Sequence, residues 1–247
     1  FPAGFTPQMF GEVDDRSIVA GLRGEWNNGL TYDFSIRNGE SEIEYNLFNT
    51  LNPSMGDQSP TQFHLGNLVN EETQFQADFT YELDSGAVLA FGASFLDEEY
   101  NILGGEPDSH LPGIYGAPDP HGFCDGDTAT ATGAGVIAGG STLNCADSSD
   151  PVYYTGDVGS NGFPGFPPEF SQSYGREATS IYADLSHDLT DTLFVQGAIR
   201  GEDYDDFGTE VTWKLAAILD VTDNFAIRGS LGTSLRAPSP GQQGTTN

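Results

Sequence analysis

The chain has 247 residues, 37% of them hydrophobic, enough for one large domain or two small ones with a sizeable core. Eight Lys and Arg face 37 Asp and Glu, and residues 38–175 hold 21 acids and no base, which excludes nucleic-acid phosphates as partners of that stretch. Mean hydropathy is -0.34 and no run approaches the roughly 20 apolar residues of a spanning helix, so a transmembrane helix is excluded; a barrel of alternating strands is not.

Phe1 to Phe10 lack the basic and apolar regions of a signal peptide, so the sequence is expected to begin inside a longer protein or after a cleaved leader. From there the clearest segments repeat with a period of two. Ile18, Ala20, Leu22 and Trp26 alternate with Val19, Gly21, Arg23 and Glu25. After the turn Asn27-Asn28-Gly29, Leu30, Tyr32, Phe34 and Ile36 alternate with Thr31, Asp33, Ser35 and Arg37, which predicts a hairpin.

The same unit returns at Phe75, Ala77, Phe79, Tyr81 and Leu83, turns at Asp84-Ser85-Gly86, and leaves through Leu89, Phe91, Ala93 and Phe95. A third hairpin runs through Ile181, Ala183, Leu185 and Leu189, turns at Thr190-Asp191, and continues through Leu193, Val195, Gly197 and Ile199. The fourth uses Val211, Trp213, Leu215, Ala217, Leu219 and Val221, then Thr222-Asp223-Asn224, then Phe225, Ile227, Leu231 and Leu235. Eight strands in four hairpins are expected, joined by long links from Tyr45 to Glu72 and from Asn101 to Gly175 and a short one from Asp205 to Gly208. The longest link has 15 Gly and 8 Pro and should carry little regular structure.

Alternation alone fits a soluble β-sandwich as well as a membrane barrel. Strands of ten residues or more, short turns at one rim against long loops at the other, and polar faces of mixed charge favour the barrel. Arg23, Arg37, Arg200, Lys214, Arg228 and Arg236 are placed on those polar faces beside Glu25, Asp33, Asp184 and Glu202. Tyr32, Tyr81 and Trp213 fall on the apolar faces, where they are either members of an interfacial aromatic girdle or ordinary lipid-facing bulk.

Cys124 and Cys145 lie in one Gly- and Asp-rich segment without the positive charge that a reactive thiolate needs. Either they form a disulfide closing a surface loop, the expectation adopted here, or they remain a pair of thiols. The acids read as a solvated surface or as an attraction for cationic ligands and divalent ions.

Catalytic readings fail on geometry. Ser186, His187 and Asp188 are strand neighbours and point to alternate faces, so His187 cannot reach both partners. His64, His110, His121 and His187 lack zinc-site spacing, Gly133 to Ala138 lacks a βαβ setting, and Asp125, Asp127 and Asp147 to Asp150 do not follow an EF-hand loop. No catalysis, metal or cofactor is expected.

Three stretches resemble the barrel of TonB-dependent receptors: RGEDYDDFG at Arg200 to Gly208, KLA at Lys214 to Ala216, and RAP at Arg236 to Pro238. Tyr45 to Phe63 and Val158 to Phe166 are similar to external loops of one branch of that family. The resemblance covers nearly the whole chain, and the Cys124 to Cys145 insert is its least familiar part. It implies an antiparallel transmembrane β-barrel segment, eight strands of a barrel of about 22, in the outer membrane of a Gram-negative bacterium. It also implies active uptake of an iron chelate, cobalamin or saccharide. The implied partners are outer-membrane lipid, a small-molecule nutrient, and the TonB complex acting through an N-terminal plug region that this sequence does not contain.

On that reading Tyr153, Tyr154, Phe163, Phe166 and Phe170 of the long loop are candidate ligand contacts, unless they pack the loop on itself. Arg200, Glu202, Lys214, Arg228 and Arg236 are lumen charges expected to pair with plug or loop groups. A passive porin or adhesin barrel is the second reading, and a secreted acidic sandwich the third.

Overall fold

The computed structural model describes residues 4–244. The alternating segments become strands β1 (Gln8–Glu25), β2 (Thr31–Phe48), β3 (Gln62–Glu82) and β4 (Val88–Gly104), and β5 (Cys124–Asp125) and β6 (Thr128–Ala129) form a small separate ladder within the long link. Beyond it run β7 (Ser173–Thr190), β8 (Leu193–Tyr204), β9 (Gly208–Thr222) and β10 (Phe225–Gly232). The eight long strands make one sheet in chain order, so the four predicted hairpins are present and consecutive. Among the later strands the pairing is antiparallel, with Asp184 opposite Ala198 and Ala198 opposite Lys214.

Two of the turns share one design. Gly29, at φ +80°, donates its N–H to Trp26 O (2.9 Å), and Gly86, at φ +79°, donates to Leu83 O (2.8 Å). Only glycine adopts that left-handed backbone without a steric penalty.

Strands reach further than the apolar pattern does. The links are residues 49–61 rather than Tyr45 to Glu72, and residues 105–172 rather than Asn101 to Gly175. Glu42, Glu44 and Asn46 interrupt the apolar alternation of β2, yet the backbone ladder there needs no lipid-compatible face. At the other end β10 stops at Gly232, so Leu235 and Arg236 lie past the strand rather than on it. Thr233 makes a last bond to Trp213 O, and Pro238, which has no N–H for a ladder, instead offers its carbonyl to Arg176.

The chain forms two compact units, one of residues 4–14, 42–68 and 101–172, the other of residues 15–41, 69–100 and 173–244. In the second, the alternation predicted from sequence has its physical expression. Ile18, Leu22, Ile181, Ile199, Leu215 and Leu231 all project into the surroundings, Ile18 and Leu231 at about 70% exposure. A sandwich would bury such a face; a wall against lipid leaves it bare. Near the turns, Trp26, Tyr32, Phe34, Phe79 and Phe91 form a connected ring cluster with centroid spacings of 4.5 to 6.2 Å. No helix among the described residues is long and apolar enough to cross a membrane.

The opposite face of this unit is knitted by polar pairs. Tyr182 donates to Asp78 (2.7 Å), Gln196 to Asp184 (2.7 Å) and Gln76 to Asp78 (2.7 Å), while Ser94 and Ser180 share a bond of 2.6 Å. Gly92 lets the Tyr182 ring lie flat across the wall, since a Cβ there would stand 2.6 Å from Tyr182 Cε1.

Candidate functional site

In the first unit, Leu47, Phe63 and Leu65 are buried together, with Tyr45 packed against them, and they seat the loops that follow. Asn52 is fully buried and acts as the hub. Its Nδ2 donates to the carbonyls of Asp108 (2.9 Å) and Leu111 (3.0 Å), and its Oδ1 accepts from Ser54 N (3.2 Å) and Ser54 Oγ (2.6 Å). The Asn-Pro pair at Asn52 and Pro53 thus caps the 3-10 turn Pro53–Gln58 and ties it to the other loop.

Further bonds extend the same framework. Thr50 Oγ1 donates to Asn161 O (2.5 Å), Ser160 N to Ser109 O (2.9 Å), Ser54 N to Asp157 O (3.1 Å) and Gly156 N to Tyr115 O (2.8 Å). Phe166 N reaches Leu65 O (2.8 Å) and Gly105 N reaches Phe166 O (2.9 Å). The expectation of little regular structure holds, and the bonds above tie this irregular backbone together at several points.

The insert carries its own fastening. Cys124 and Cys145 are joined by a disulfide with Cα atoms 5.6 Å apart, and the expected pairing is therefore present. Asp119 accepts from the N–H groups of Phe123 and Cys124 (both 2.8 Å), and Asp150 from those of Asn144 (2.8 Å) and Val152 (3.0 Å). Asp147 accepts from Ser149 through hydroxyl and backbone N–H, which holds its carboxyl below the usual range. Thr130 caps helix α1 (Ala131–Ala138) by accepting from Gly133 N (3.1 Å). Several acids of this region are thus structural caps. Among the described residues no three His, Cys, Asp or Glu side chains converge on a metal-sized site.

The five loop aromatics do not form one cluster. Tyr153 donates its hydroxyl to Cys145 O (2.8 Å), and partial burial, with the charges of Asp119, Asp127 and Asp150, pushes its phenol up. Phe163 and Phe166 meet edge to face at 6.1 Å, with Phe166 half-buried. Tyr154 and Phe170 stand exposed, without a ring partner among the described residues. Sequence reading missed exposed Leu111, Ile114 and Val158 on the same loops, and it missed the hub, although Asn followed by Pro is a cap signature.

On the polar wall Arg200 bonds Glu202 on the same strand (3.0 Å). Lys214 lines two adjoining hollows of about 310 and 410 Å³, the second shared with Arg228, and neither base has an ion-pair partner among the described residues. Arg236 is exposed beyond β10. A base not singled out from sequence is better placed: Arg176 is only 7% exposed, pairs with Glu98 (2.5 Å), donates to Pro238 O (2.5 Å) and lies over the Tyr204 ring at 5.1 Å. Ser186, His187 and Asp188 do not converge, and His187 Nδ1 is buried without a partner.

Comparison with known proteins adds three findings. A family model described as TonB dependent receptor-like, beta-barrel, matches residues 2–247. The vitamin B12 transporters BtuB of Photobacterium profundum and Vibrio vulnificus are each 31% identical, over 64 residues (26% of this chain) and 75 residues (30%). The chain spans only 10% and 12% of their lengths. A crystal structure of the ferric enterobactin receptor PfeA of Pseudomonas aeruginosa superposes with a TM-score of 0.52 at 12% identity, covering 94% of this chain and 26% of that one. The siderophore receptor PirA of Acinetobacter baumannii gives 0.50 at 13% identity, covering 92% and 26%.

Proposed function

Since the chain belongs to the TonB-dependent receptor-like β-barrel family, we propose that it is the wall and external-loop portion of a receptor importing a scarce nutrient by TonB-energised transport. It is an outer-membrane protein of a Gram-negative bacterium, from a family of transporters and receptors rather than enzymes. The observation that carries the transport reading is the two-faced sheet, bare and apolar on one side and polar, charged and hydrogen-bonded on the other, with rigid loops in the same chain.

On this reading the loops capture an iron chelate, cobalamin or saccharide. Tyr154, Phe163 and Phe170 offer exposed rings to the ligand, while Tyr153 and Phe166 support them from behind. Arg200, Glu202, Lys214, Arg228 and Arg236 act on the lumen side, where Lys214 and Arg228 receive acidic groups of a plug or of a passing ligand. The TonB complex engages a plug region outside this sequence, and no catalytic step is involved.

The test is uptake of labelled cobalamin and ferric chelates by cells carrying the full-length receptor, with and without TonB. Uptake that vanishes without TonB supports the proposal. Uptake unchanged by loss of TonB identifies a passive porin and overturns it. Alanine at the five loop aromatics is expected to weaken binding most at Tyr154, Phe163 and Phe170; unaltered affinity at all five removes them from the site.

A further inference from the structure

We propose that the external loops select a ligand that carries no net negative charge and presents an apolar face, and that they exclude anionic metal chelates. This deepens the receptor reading above and rests on it.

Residues 49–61 and 105–172 contain ten acids and no Lys or Arg. Tight recognition of catecholate, carboxylate or phosphate oxygens uses ammonium or guanidinium donors, and the strongest such contacts are charge-assisted. These loops have no such group to give. The first base after Arg37 is Arg176, which is buried and already held by Glu98. Unfavourable charge is also fixed in place, because Asp119 and Asp150 are each bonded by two backbone N–H groups and Asp147 by backbone and hydroxyl of Ser149.

What the loops do present is apolar. Leu111, Ile114, Tyr154 and Val158 are 48%, 57%, 65% and 45% exposed. They stand on pinned backbone: the Leu111 carbonyl is bonded by Asn52, and Gly156 N bonds Tyr115 O, which brings the Ile114 and Val158 segments side by side. A Cβ on Gly116 would stand 3.3 Å from Val158. Rigid apolar projections within a field of carboxylates suit a neutral or cationic ligand. At physiological ionic strength the Debye length is about 8 Å, so the field acts on whatever touches those side chains. A multiply charged anion would lose its hydration there against like charge, which weakens its binding.

The experiment is direct binding to the full-length receptor, purified in detergent, of three probes: cyanocobalamin and a ferric trihydroxamate, both uncharged, and ferric tris-catecholate, a trianion. The better uncharged probe is expected to bind about tenfold tighter than the trianion or more, with the gap narrowing as salt rises from about 0.05 to 0.5 M. Ile114→Lys should raise trianion affinity severalfold. Trianion binding as tight as the better uncharged probe, failure of both uncharged probes to bind, or a gap that salt leaves unchanged overturns the proposal. Because purified receptor binds without a motor, these outcomes are independent of the TonB test, and either reading can fail alone.

Discussion

Replacing Asn52 by alanine should loosen the loops at residues 49–61 and 105–172 without touching the strands of the wall. The side chain is fully buried and makes four hydrogen bonds, two to carbonyls of residues more than fifty positions away. At a net value of about 1 kcal/mol each, their removal costs about 4 kcal/mol, with the carbonyls of Asp108 and Leu111 left short of a donor. An opening equilibrium for the loops then rises roughly a thousandfold. Hydrogen exchange by mass spectrometry on the full-length receptor reads this directly. The amides of Met55, bonded to Asn52 O (3.0 Å), and Gly113, bonded to Ser54 Oγ (2.9 Å), should lose protection, while residues 181–199 keep theirs. Asn52→Asp should be as damaging, because it turns a carboxylate oxygen toward two carbonyls. Unchanged protection at Met55 and Gly113, or an Asp variant indistinguishable from the parent, would refute the hub.

Cys145→Ser should destabilise the insert by roughly 3 kcal/mol on chain-entropy grounds for a separation of 21 residues, seen as faster proteolysis within residues 119–153 and unaltered cleavage elsewhere. The Tyr153 phenol is raised in the folded loop, so its contribution is complete below the ordinary tyrosine range near 10 and is lost as pH rises through its higher folded value. Tyr153→Phe should therefore remove a late phase from an alkaline ultraviolet titration, and an identical curve would contradict the assignment. Gly92→Ala should cost about 1–3 kcal/mol, because a Cβ would stand 2.6 Å from both Ala77 O and Tyr182 Cε1. Its measure is the heat-modifiability midpoint on gels, with partial rescue by Tyr182→Ala. Lys214→Ala with Arg228→Ala should slow uptake severalfold at unchanged ligand affinity; loss of affinity instead would move both bases into the binding site.

The wall was legible because each strand there separates two solvents, and residues such as Ile181, Ala183 and Leu185 record that with period two. Where the strand leaves lipid the record stops, although the ladder continues: Tyr45 to Phe48 read as loop and are strand. The disulfide could be anticipated from composition alone. The loop framework could not, since its bonds join Asn52 to residue 108 and Thr50 to residue 161, separations that no local pattern encodes. Likewise Arg176 shows its importance only through partners at 98, 204 and 238. The loop aromatics were visible as residues, but which of them point outward depends on those distant bonds.

Sheet order equal to chain order sets how the wall can assemble. Six of the seven strand pairings join strands that follow one another along the chain, most across turns of a few residues, so registration is local and fast. The β4–β7 pairing alone must first close residues 105–172, a span of 68. An intact Cys124–Cys145 bridge shortens that span by about 21 residues, which eases closure by only about 0.3 kcal/mol on logarithmic scaling. Oxidation of the insert is thus nearly irrelevant to strand addition. A reduced precursor and an oxidised one should build the same wall at nearly the same rate, leaving the bridge free to form before or after insertion.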